Sequence, residues 1–241
     1  MSWLSDPANW SGRGGIPVRL WEHIALSGTS LLIALLIALP IGLWIGHARR
    51  GAGFAVNLAN LGRALPSLAV IALIVPITAA IDPQLGFRLY PTLIAMVVLG
   101  IPPLLVNSYA GVAAVDAELV DAARGMGFRE LQILGRIEVP LAVPVIVGGI
   151  RSAAVQIIAT ATLGAIFGSG GLGRFLVEGI AQNNEGMIFG GVVLVAALAL
   201  TSELAFAILQ RLLTPRGVAP AGSGLRAMVQ FRAAKVLPPK F

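Results

Sequence analysis

Long uncharged runs of apolar residues recur along the chain and set its plan. Ile24 to Gly46 carries no charge, and neither do Ala64 to Ile81, Leu89 to Val115 and Ser152 to Gly173. Gly186 to Ser202 is slightly shorter, but the run continues past a single Glu203 to Gln210. A helix needs about 20 mainly apolar residues to cross the hydrocarbon, so the pattern predicts five membrane-spanning helices. Barrel strands would be short and alternating, which these runs are not. The expected fold class is an all-α polytopic membrane protein.

Between the runs lie short polar or charged stretches. Met1 to His23 is polar and aromatic, and its Trp3, Trp10 and Trp21 are expected at the membrane interface. Span one then ends at His47, Arg49 and Arg50, followed by a short turn at Gly51 and Gly53. Ala52 to Ile81 reads as a second span, interrupted by Arg63 and Pro66; proline removes a backbone bond and kinks a helix. Asp82 to Arg88 is a polar loop, and span three covers about Tyr90 to Val112, with Pro102-Pro103 and Asn107 inside it. Span four is expected from about Leu141 to Ile166, and span five from about Met187 to Gln210. A transmembrane domain thus covers residues 1–217, and the basic tail 218–241 has no apolar period and reads as disordered.

Composition removes several function classes. The chain of 241 residues is 57% hydrophobic and 12% charged, with a mean hydropathy of +0.88. Cysteine is absent, so a disulfide framework, a thiol nucleophile and a cysteine metal site are all excluded. Asp6, Arg13 and Glu22 break up the stretch before the first apolar run, unlike a cleavable signal peptide. The net charge of +6 is a topology signal rather than a nucleic-acid footprint. One set of loops holds Arg49, Arg50, Arg124, Arg129, Arg136, Arg211, Arg216, Arg226, Arg232, Lys235 and Lys240. The other holds Arg13, Arg19, Arg88 and Arg174. This bias predicts a cytoplasmic C-terminus and an external N-terminus in the cell (plasma or inner) membrane.

The densest charge between the first and last apolar runs falls in residues 116–140: Asp116, Glu118, Asp121, Arg124, Arg129, Glu130, Arg136 and Glu138. Asp116 is a good helix N-cap, and Ala117 to Arg124 are good helix formers. Gly125-Met126-Gly127 should bend or weaken that helix. A second piece, Phe128 to Ile137, is expected to end at Pro140. Leu119, Ala122, Ala123 and Met126 share one side at helical spacing, as do Leu131 and Leu134. A helix resting on lipid headgroups is usually strongly basic on its polar face. The mixed charge here, with small Ala122 and Ala123 beside a bend, favours contact with protein.

Asp121-Ala122-Ala123, then Gly127, then Ile137, Val139 and Pro140 resembles the EAA signature of permease subunits of binding-protein-dependent ABC importers. That signature reads Glu-Ala-Ala, three residues, Gly, nine residues, Ile-x-Leu-Pro; the spacing agrees throughout, with Asp121 in place of Glu and Val139 in place of Leu. The likeness covers roughly residues 20–217. Leu65-Pro66-Ser67-Leu68, Ala123-Arg124-Gly125-Met126-Gly127, Gly170-Gly171-Leu172-Gly173 and Leu213-Thr214-Pro215-Arg216-Gly217 are similar to the quaternary-amine branch, which serves osmoprotectants such as glycine betaine, choline and carnitine. The resemblance implies that Asp121, Ala122, Ala123, Gly127 and Phe128 dock on a cytoplasmic ATPase. It also implies a second permease subunit, identical or homologous, and an extracytoplasmic substrate-binding protein.

Other signals carry little. Gly168, Gly170 and Gly173 fit GxGxxG, but they follow an apolar span, not a strand, and read as a tight external turn. His23 and His47 lie at opposite ends of span one and cannot share a metal. No phosphate-binding lysine loop, HExxH or intramembrane carboxylate pair is present, so no catalytic, metal or cofactor site is expected and ATP chemistry falls to another subunit. Asn107, Gln156 and Thr160 (with Thr162) are candidates to face a water-filled pathway; the competing reading is helix–helix hydrogen bonding. Arg151 and Glu203 are predicted to pair, since each lies eight positions from the cytoplasmic edge, about 12 Å deep at 1.5 Å per residue. Arg63 is a rival partner for Glu203.

The combined reading is one half of the pore of an ATP-driven importer for a small osmoprotectant, not an enzyme. A permease for another solute such as methionine is the alternative, and an ATPase-independent secondary transporter a more distant one. Quaternary ammonium groups are held over aromatic faces, yet within spans three to five the aromatics are Tyr90, Tyr109, Phe167, Phe189 and Phe206. Only Tyr109 and Phe206 lie deep, too few for a cage, so selectivity is expected in the binding protein.

Overall fold

Helices account for nearly all the regular structure in the computed structural model, which describes residues 2–214. In chain order they are α1 (Ser2–Ser5), α2 (Ile16–His47), α3 (Ala52–Ala64), α4 (Ser67–Ile81) and α5 (Tyr90–Ala113). They continue as α6 (Ala117–Gly125), α7 (Glu130–Ile133), α8 (Val139–Gly164), α9 (Gly173–Ala181) and α10 (Glu185–Leu213). No strand occurs among the described residues. The expected tail, residues 218–241, lies outside them.

Four of these helices are long and apolar enough to cross a membrane: α2, α5, the continuous stretch Glu130–Phe167 that contains α8, and α10. A fifth span requires α3 and α4 to be one broken element, bent by 88°. Its break has a local cause. Pro66 pushes the preceding residue out of helical geometry, and Leu65 is extended at φ −78°, ψ 119°. The expected kink is therefore a right-angled turn.

The centre of the bundle is α5, which packs against α2 on one side and α8 on the other. Ser30, Ala34, Ala38, Gly42 and Gly46 recur every fourth residue of α2, and all are buried. A Cβ on Gly42 would stand 2.7 Å from Ser108 Cβ, and one on Gly46 would stand 2.8 Å from Val112 Cβ. This stripe lets the backbones of α2 and α5 approach closely, as small residues do between membrane helices. The opposite face carries exposed Leu32, Leu36 and Trp44, the surface that lipid would cover.

Two expected boundaries differ. First, α2 begins at Ile16, about two turns before the uncharged run that starts at Ile24. Pro17 sits where a first turn tolerates it, and Arg19 and Glu22 pair at 2.8 Å one turn apart. Second, the helix after Gly127 does not end at Pro140. It runs through a π turn, Leu134–Glu138, directly into α8. The Val139 N–H bonds to Leu134 C=O, five residues back, and the widened turn carries Pro140 into the next helix.

Trp3, expected at the membrane interface, packs against the protein. Its ring meets Phe175 edge-on at 5.1 Å and joins the cluster of Ile16, Leu172, Phe175 and Met187. Trp10 and Trp21 remain exposed. The glycine turn is fastened to α2. Gly168, Gly170 and Gly171 take left-handed φ of 85°, 86° and 76°. Gly171 N–H donates to Glu22 Oε2 at 2.8 Å, and Leu172 N–H donates to His23 Nδ1 at 3.2 Å.

Candidate coupling segment and pathway

The helix α6 starts where sequence places its cap: Asp116 accepts the Glu118 N–H at 2.9 Å. It stops in a Schellman motif. Phe128 N–H reaches Ala123 C=O at 3.1 Å and Gly127 N–H reaches Arg124 C=O at 2.9 Å. Gly127 holds φ +86° between them, a left-handed conformation that glycine adopts at no steric cost. The apolar contact that completes the motif comes from Phe128, half-buried against Val120, Ala123 and Ile133.

The side shared by Leu119, Ala122, Ala123 and Met126 is divided. Leu119, Ala122 and Met126 face outward, with Met126 71% exposed. Ala123 turns inward and is fully buried, because the packing direction follows Val120 and Ala123. Leu131 adds a further exposed apolar side chain beyond the bend. Asp121 is exposed and meets Arg124 at 3.0 Å. Arg124 also grips Glu130 through Nε at 2.9 Å and Nη2 at 3.0 Å. That hydrogen bond is the main cause holding the Glu130 carboxyl below the usual carboxylate range. The result is a knob of apolar and charged groups projecting beyond the bundle.

Within the bundle, Asn107 and Gln156 line one cleft of about 270 Å³ between α3, α5 and α8, with Gly62, Pro102, Pro103 and Ser152. Asn107 Nδ2 donates to Pro103 C=O at 2.7 Å on its own helix, so its amide is partly satisfied there. Gln156 is exposed. Thr160 stands apart: it is buried and donates to Gln156 C=O at 2.9 Å. Thr162 likewise bonds its own helix, to Ile158 C=O.

Arg151 on α8 and Glu203 on α10 form an ion pair through Nη2 and Oε1, each about a third exposed. They line a second cleft of about 600 Å³ with Gly148, Ser152, Val155 and Gln210. Ser152 borders both clefts, so α8 presents a continuous polar stripe through Arg151, Ser152 and Gln156. The Arg63 side chain lies outside the described residues. No aromatic side chain lines either cleft; Tyr109 packs in the core and Phe206 lines a separate apolar groove beside α2. Among the described residues no group of His, Asp or Glu is placed to hold a metal ion.

One constellation was not legible beforehand. His47, the last residue of α2, sits between two carboxylates: Nδ1 is 2.5 Å from Glu138 Oε2 and Nε2 is 3.0 Å from Glu130 Oε2. The partners are 91 residues apart in the first case, and only the isolation of Glu138 between Ile137 and Val139 hints at it in the sequence.

A bundle with a centrally packed spanning helix, a polar stripe across its apolar face and a charged knob beyond it fits a membrane transport component. The chain belongs to the family of binding-protein-dependent transport system inner membrane components, whose model matches residues 38–217. Among curated relatives, the carnitine transport permease protein OpuCB of Listeria monocytogenes is 34% identical, over 86% of this chain and 92% of its own length. The choline transport system permease protein OpuBB of Bacillus subtilis is 32% identical, over 85% and 91%. Among solved structures, an inward-facing form of the MetNI methionine ABC transporter has TM-score 0.72 at 20% identity, over 83% of this chain and 96% of that one. This last likeness concerns the fold. The chain is therefore a multi-pass inner-membrane transport permease.

Proposed function

We propose that this permease moves a small quaternary-amine osmoprotectant, such as glycine betaine, choline or carnitine, into the cell as half of an ATP-driven pore. The observation that carries the solute class is the likeness to carnitine and choline permeases over nearly their whole length. The methionine alternative rests on a fold likeness at 20% identity.

In this reading α6 is the docking element for a cytoplasmic ATPase. Asp121, Ala122 and Met126 supply its outward face, Gly127 and Phe128 fix its end, and buried Ala123 holds it against Ile133. The basic residues near the helix ends put this knob and the C-terminus in the cytoplasm, with α3 and α4 counted as one broken span and the N-terminus outside. Charged and amide groups facing lipid are costly, so the stripe Arg151, Ser152 and Gln156 favours cover by a second permease subunit and a wet pathway between them. Asn107 and Gln156 belong to that pathway, and Thr160 supports it by packing. An external binding protein delivers the solute.

Co-purification from detergent tests the docking role. The chain is expected to bring down its ATPase subunit, and Asp121→Arg is expected to lose it while membrane abundance stays normal. Retention of the ATPase by Asp121→Arg would refute docking through this helix.

A further inference from the structure

A line of five side chains with alternating charge runs from the proposed docking helix into the protein. Asp121 meets Arg124 at 3.0 Å, and Arg124 holds both oxygens of Glu130 at 2.9 and 3.0 Å. Glu130 meets His47 Nε2 at 3.0 Å, and His47 Nδ1 meets Glu138 at 2.5 Å. The outer three side chains are 72%, 44% and 52% exposed, and exposure then drops to 8% at His47 and 1% at Glu138. The line therefore connects three elements: the docking segment, the end of α2, and the π turn from which α8 rises.

Both ring nitrogens of His47 face carboxylate oxygens, and a carboxylate can only accept. The ring therefore bridges the two carboxylates, one at each nitrogen. Glu138 is the more telling partner. It is buried, and its Oε1 has no hydrogen-bond partner among the described residues. A buried ion pair is weak evidence for stability, since apolar side chains of similar volume often serve as well. Its placement at a π turn is a second clue, because such turns interrupt the regular ladder and cluster at functional sites. A second tie, Arg49 Nη2 to Val115 C=O at 2.6 Å, fixes the same end of α2 to the approach of the docking helix.

We infer that His47 and Glu138 are positioning residues for coupling: they lock the docking segment to the roots of α2 and α8, so that displacement of α6 moves both spanning helices together. The inference rests on the reading of α6 as the ATPase docking element. Without the lock, the ATPase still docks and hydrolyses ATP, but the segment moves at the π turn and the spans do not follow.

The test is solute uptake per ATP hydrolysed, measured on the reconstituted complex of permease, ATPase and binding protein. His47→Ala is expected to co-purify with the ATPase yet lower uptake per ATP by about tenfold, within the range of ordinary coupling energies, while His47→Lys, which puts a cation between the carboxylates, stays within about threefold of wild type. Glu130→Gln alters a half-exposed group, and is expected to lower the ratio in the same direction. This variant decides the matter if His47→Ala fails to accumulate. An unchanged ratio in Glu130→Gln and His47→Ala overturns the inference, as does His47→Lys failing as badly as His47→Ala, which would mark packing and not charge. A wild-type chain that binds no ATPase would instead remove the docking reading, and this inference with it.

Discussion

Leu172 donates its backbone N–H to Nδ1 of His23, 149 residues away in sequence, at 3.2 Å. That bond sets the tautomer: Nε2 carries the hydrogen and faces Ile158 C=O at 3.1 Å. One fully buried ring thus ties α2 to α8 and to the glycine turn. His23→Phe would keep an apolar ring but strand the Leu172 N–H, at a cost of about 1–3 kcal/mol for a buried unpaired donor. The check is the thermal midpoint of the detergent-solubilised protein, expected to fall clearly below wild type. An unchanged midpoint would mean the ring is a space-filler.

The α2 stripe makes a second prediction. Gly42→Leu places a side chain where Ser108 Cβ and Leu105 C=O already stand within 2.8 Å of the Cβ position. Overpacking of a close helix contact costs about 1–3 kcal/mol or more. Membrane abundance is expected to drop several-fold, whereas Gly28→Leu, with open space around its Cβ, should accumulate normally. Equal abundance of the two variants would contradict the packing.

The Arg151–Glu203 pair makes a third. Arg151→Met leaves Glu203 without its guanidinium inside an apolar helix, where an ionised group costs about 2.5–3.5 kcal/mol at the bilayer centre and less toward the edge. The single variant is expected to accumulate poorly, and Arg151→Met with Glu203→Met to recover abundance. Failure of the double variant to recover would show that the two side chains do not depend on each other.

The elements of the fold and of the candidate site differ in how far the sequence reveals them. The apolar runs placed α5, α8 and α10 within a few residues, because hydropathy reports which backbone lipid can surround. It does not report where a helix begins, so α2 was expected to start at Ile24 although Arg19 and Glu22 fit its first turns. The π turn before Pro140 leaves no periodic trace, and a proline in a regular helix is a stop. Asp116 and Gly127 were legible as cap and bend because both act locally. The His47–Glu138 contact was not, since it joins residues far apart whose burial appears only when α2 meets the turn. Ala122 and Ala123, adjacent and chemically identical, could not be told apart until Val120 and Ile133 fixed which one faces inward.

Selectivity gives the fourth prediction. With no aromatic side chain lining either cleft, a quaternary ammonium group finds no aromatic cage in them. Titration of the purified permease alone with glycine betaine or choline is expected to show no saturable binding at micromolar concentration. Saturation there would move solute choice from the binding protein into the membrane.

ATP-dependent uptake tests the proposed function most directly. Proteoliposomes would hold the permease with its ATPase inside and the binding protein outside, and radiolabelled glycine betaine, choline and carnitine would be offered in turn. Accumulation of at least one is expected only when ATP, the ATPase and the binding protein are all present, and it should vanish with Asp121→Arg or Gly127→Pro. Uptake that persists without the ATPase, driven by an ion gradient alone, would contradict the assignment as an ATP-coupled permease.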